Sequence, residues 1–100
     1  IYRKGGFNMS DVIKVITKTD RYLYEVEANF IRHKLNDYNY SHKLHKISKN
    51  AYMVELPNID NNDRKKFLKE ELNKIGLTIY KTDKSLSELR EIQEKKELLH

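Results

Sequence analysis

Cysteine is absent from this chain, and the residues that usually punctuate a fold are scarce: 100 residues contain one Pro, three Gly and two Ala. Without a thiol there is no disulfide, no thiolate nucleophile and no cysteine-ligated zinc. The only paired glycines, Gly5 and Gly6, stand near the start, so no Gly-rich phosphate loop is expected. None of Ser10, Ser41, Ser48, Ser85 and Ser87 has the G-x-S-x-G context of a nucleophile elbow. His42 and His45 are three apart, which puts them on opposite faces of a strand and argues against a metal site. No apolar run approaches the roughly 18 residues of a membrane span, and the first residues lack an apolar h-region. The expectation is a cytoplasmic, non-enzymatic protein with no cofactor, no metal and no membrane partner.

What is abundant is Lys (15), Asn (9), Ile (9) and Tyr (7), 40 residues with AT-rich codons. That composition suggests a low-GC bacterium or one of its phages or other mobile elements. Lys4-Gly5-Gly6-Phe7-Asn8-Met9 can be encoded as AAG GGA GGT TTT AAT ATG, a purine-rich box a few bases before an ATG. Residues 1–8 therefore read as a non-native leader, either a translated ribosome-binding site or a cloning remnant, with Met9 as the start and a single domain over 9–100. From Met9 onward 18 basic residues face 15 acidic ones, a net charge of +3 in place of the +5 of the whole chain.

Hydrophobic spacing orders the elements. Val12 to Thr17 is a β-branched run and reads as a strand. Asp20 to Asn36 fits two patterns: Tyr22, Tyr24, Val26, Ala28 and Phe30 alternate as in a strand, whereas Leu23, Val26 and Phe30 mark a helix face behind Asp20 as N-cap. Glu25 and Glu27 ahead of Arg32, His33 and Lys34 suit the helix dipole, so a helix is expected, with a hairpin as the alternative. Lys43 to Ile47 and Ala51 to Leu56 flank Ser48-Lys49-Asn50 as a hairpin closed by Pro57. Phe67, Leu68, Leu72 and Ile75 predict a helix that begins among the cap residues Asn58 to Asn62 and stops at Gly76, followed by a strand at Leu77 to Tyr80. Ser85 and Glu88 form a capping box ahead of a last helix carrying Leu86, Leu89, Ile92 and Leu99 on one face. The resulting order is βαββαβ plus α. The fold class is therefore α+β: one small domain, a ferredoxin-like split βαβ sandwich with an added C-terminal amphipathic helix.

Charge is distributed unevenly along this order. Arg32, Lys34, Lys43, Lys46 and Lys49 face one acid, Asp37, giving +4 between residues 32 and 49, while the rest of the chain from Met9 sums to −1. His42, His45, Tyr38, Tyr40 and Tyr52 lie in or beside the same stretch. Lysine and arginine contact phosphates, and tyrosines stack on unpaired bases or fill protein interfaces. These ten residues are the candidate surface for nucleic acid or a nucleoprotein. The alternative is a protein-binding inhibitor of a host or defence system, of the anti-CRISPR kind. An RNA-recognition motif is disfavoured, because Ala51 to Leu56 lacks its basic, glycine and aromatic pattern. The fold also admits a dimeric, metal-dependent nuclease of the CRISPR-associated type, with Asp20 after the first strand as the acidic residue. The apolar stripe of the last helix suggests a homodimer contact.

Overall fold

The computed structural model describes residues 13–57 and 62–99. The expected leader, the start at Met9, Val12 and the cap residues among 58–61 lie outside the described residues. Within them the chain forms β1 (Ile13–Lys18), α1 (Glu25–Asp37), β2 (Lys43–Ser48), β3 (Ala51–Glu55), α2 (Asn62–Lys74), β4 (Leu77–Thr82) and α3 (Leu86–Leu98). The strands join in one antiparallel sheet of order β2-β3-β1-β4. This is the ferredoxin-like α+β arrangement expected from the element order, with β2 and β4 as its edges. Among the described residues no helix is long and apolar enough to cross a membrane.

Both central strands are buried on two faces. On one face Ile16, Tyr52, Val54 and Leu56 pack against Ala28, Ile31 and Leu35 of α1 and Leu68 and Leu72 of α2. On the other, Val15, Ala51, Met53 and Ile47 of β2 pack beneath Leu89 of α3. The added helix thus lies across the second face of its own sheet. Its start is the capping box read from the sequence: Glu88 N–H donates to Ser85 Oγ at 3.1 Å, and Ser85 N–H donates to Glu88 Oε1 at 3.3 Å. Its stripe is shorter than expected, since Leu98 and Leu99 are 85% and 84% exposed.

The expected N-cap at Asp20 is corrected by the structure. α1 begins at Glu25, with Tyr24 in the cap position and in extended geometry. Leu23 is held out of the helix because it pairs with Tyr52, each N–H donating to the other's carbonyl at 2.8 Å. That bridge continues the β3 ladder where β1 has ended, which explains why 22–24 carries strand-like alternation although α1 itself is a helix. At the other end of α2, Gly76 adopts φ +79, the left-handed C-terminal stop expected of it.

Glu27 ties α1 to the segment that leads into it. Its carboxylate accepts from Arg21 at 2.7 and 3.0 Å and from the Tyr24 N–H at 2.8 Å, and Lys18 Nζ stands 3.7 Å away. The fork of Arg21 is the main cause that holds this carboxyl at about 2, against an ordinary 4.5. Stability that depends on the charge is complete above the ordinary value and is lost as pH falls toward about 2. Glu27→Gln is expected to cost on the order of 1–2 kcal/mol at neutral pH, allowing for solvent screening of a partly exposed pair. Urea unfolding across that acid range checks it: the variant should show a shallower acid loss, and identical acid limbs would remove the role.

Candidate functional site

β2 is an edge strand, so one of its backbone sides has no strand partner among the described residues. Alternation along Lys43-Leu44-His45-Lys46 sends Leu44 and Lys46 toward the α1–α2 side and Lys43 and His45 toward the α3 side. Between Lys46 and Ser48 the register slips, leaving Ile47 as an extra residue opposite β3. Ile47 follows the alternation into the core under α3, and the bulge keeps Ser48 on that same side, where its hydroxyl donates to Glu97 Oε2 at 2.6 Å.

Lys43, Lys46 and Lys49 are exposed along this edge and its turn, and none forms an ion pair among the described residues. Glu55 lies directly across from Lys43, but its carboxylate is held by His45 Nε2 at 2.7 Å. Arg90 of α3 joins the edge, donating from Nε to the Lys46 carbonyl at 3.0 Å. From the sequence Arg90 reads only as part of a solvated helix face balanced by Glu; nothing local signals that it reaches a strand 44 positions away.

The other candidate residues separate from this edge. Tyr38 packs edge-on against Phe67 at 5.5 Å and Tyr40 at 6.1 Å between ring centroids. Tyr40 lies under the Arg64 guanidinium at 4.3 Å and donates its hydroxyl to the Arg64 carbonyl at 3.1 Å. Arg64 in turn donates to the carbonyls of Tyr38 and Asn39. These contacts clamp the α1–β2 turn to the start of α2. His42 Nδ1 lies 3.0 Å from the Tyr40 carbonyl. Lys34 is half-buried, with Nζ 5.4 Å from the Phe30 ring. Arg32 follows the buried Ile31, and its Nε is shut off from solvent with no hydrogen-bond partner among the described residues. Tyr52 is only 9% exposed and belongs to the core beneath α1, with Lys46 Nζ 6.0 Å from its ring.

Lys43, Lys46, Lys49 and Arg90 thus form a cationic ridge spread along the β2 edge and its turn, with Lys43 on the α3 side and Lys46 on the opposite side, while the three tyrosines serve packing and clamping. Among the described residues no three His, Asp or Glu side chains converge as metal ligands would. Asp20 is exposed in the turn after β1, beside Arg21. Truncation separates the two groups: Tyr52→Ala should cost about 3 kcal/mol of stability, as loss of a core aromatic does. Lys46→Ala should stay within about 0.5 kcal/mol. Chemical denaturation measures both, and equal costs would contradict the placement of Tyr52.

No protein-family model matches the chain, and no curated protein or solved structure matches it either.

Proposed function

We propose that this chain is a small, non-enzymatic nucleic-acid-binding protein that grips the sugar–phosphate backbone with the outer edge of β2. The observation that supports this reading is the ridge of three exposed lysines, without an ion pair among the described residues, joined by Arg90. Lys43 and Lys46 stand about 10 Å apart along β2, at about 3.3 Å per residue, and project to opposite sides of the sheet, with Lys49 in the turn beyond, so the edge carries cations on both of its sides. A row of point charges of this kind displaces counterions from phosphates without reading bases. Because Tyr38, Tyr40 and Tyr52 are engaged in packing, the ridge itself offers phosphate contacts rather than a stacking platform. A cytoplasmic setting, in a phage or mobile element of a low-GC bacterium, accords with this role and with the AT-rich composition.

A protein-partner reading of the anti-CRISPR kind draws on a different surface. Val26 and Phe30 of α1 are 72% and 50% exposed, and Ile75 beside them is 38% exposed. Apolar side chains gathered on one side mark protein contacts more often than nucleic-acid contacts.

Anisotropy titration of labelled single-stranded oligonucleotides at rising salt tests the ridge. The wild type should give a steep linear loss of log K with log salt. Replacing Lys43, Lys46 and Lys49 together by Gln should reduce the slope by about 2, at roughly 0.7 per single-strand phosphate contact. An absence of binding at low salt would refute the reading.

A further inference from the structure

A concavity lies on the side of α3 away from β2. The helix seats Leu89 over Val15 and Met53 and leaves the β1–β4 half of that face partly uncovered. β1 and β4 pair with Val15 opposite Tyr80, so Tyr80 projects on the same side as Val15. The groove so formed is about 450 Å³, with Tyr22 and Tyr80 on the sheet side and Leu89 and Ile92 on the helix side. Tyr80 is 55% exposed and Ile92 38% exposed, so a ring and an aliphatic side chain line the same opening. Burial, and then the neighbouring Tyr80, push the Tyr22 phenol above its usual value.

The charges of the groove are of two kinds. Lys18 and Arg21 are taken up by Glu27, and the Glu97 carboxylate is held by Ser48 and Gln93. Lys84 and Lys96 line the groove without an ion pair among the described residues, against Asp20 as the remaining acid. Lys84 precedes α3 and Lys96 lies in its last turn. The helical residues between them span about 15 Å at 1.5 Å per residue. A groove of that length with a cation toward each end suits a short run of chain carrying several phosphates better than one small anion. Glu97 also links the groove to the ridge, because the Ser48 that it holds lies at the end of β2 next to Lys49. One end of the groove therefore lies at the hairpin end of the lysine edge.

We propose that this groove takes unpaired bases of a single nucleic-acid strand, with a base lying on Tyr80 against Ile92 and Lys84 and Lys96 meeting the flanking phosphates. The inference rests on the nucleic-acid reading above and adds strandedness to it, since a duplex keeps its base faces stacked and cannot offer one to Tyr80. Base–aromatic stacking tolerates any sequence, so the site selects for single strands and not for a sequence.

The test compares a labelled single-stranded oligonucleotide with the same strand annealed to its complement, on the full chain and on two variants. The single strand should bind more tightly than the duplex. Tyr80→Ala should weaken single-strand binding on the order of tenfold with an unchanged salt slope, because no phosphate contact is lost. Tyr80→Phe should restore it, which a merely structural effect on the half-exposed position would not require. Single-strand binding that keeps its salt slope but is indifferent to Tyr80→Ala would overturn the groove and leave the lysine ridge standing. Binding of neither strand form would overturn both.

Discussion

A sheet whose central strands carry apolar side chains on both faces has to be covered twice, and most of this structure follows from that constraint. Ala51 to Val54 is an unbroken buried run, with Tyr52 and Val54 turned to one side and Ala51 and Met53 to the other. Two helices cover the first face, as the βαβ crossovers dictate. The second face would leave Val15, Met53 and Ile47 in water without α3, and each such side chain contributes about 1.5–3 kcal/mol when buried. The last helix is therefore part of the core. Where it crosses the sheet decides which residues it delivers to β2 and which part of the β1–β4 half stays open.

The edge of β2 combines two physical requirements. An edge strand with free backbone groups invites pairing with other chains, and lysines, a bulge and a covering side chain all oppose this. Lys43, Lys46, the slip at Ile47 and the Arg90 contact to the Lys46 carbonyl are these devices. The same devices leave lysines along the edge with no ion pair among the described residues. Protection of the edge and the proposed phosphate contacts would thus draw on the same side chains.

Much of the scaffold is legible in the residues themselves. The capping box at Ser85 and Glu88, the stop at Gly76 and the hairpin around Ser48 to Asn50 are local signals, settled by groups within a few positions of one another. Asp20 fails as a cap because a distant strand intervenes: Tyr52 takes both backbone bonds of Leu23 and delays the helix to Glu25. Leu99 fails as a core residue because it caps the C-terminal end of α3, where its side chain is left exposed. The charge excess between Arg32 and Lys49 was visible as a count, but a count does not separate Lys43 and Lys46 at an open edge from Tyr52, which alternates into the core.

The sequence alone determined the order of elements, most of their boundaries and the concentration of positive charge, because periodicity, caps and turns act over a few residues. Only the tertiary structure decided that α3 closes the second face, that Arg90 joins the lysines of β2, and that Tyr80 and Ile92 line one groove. Those relations join residues far apart in the chain. They arise from the need to cover a sheet on both faces, a need that no short stretch of sequence expresses.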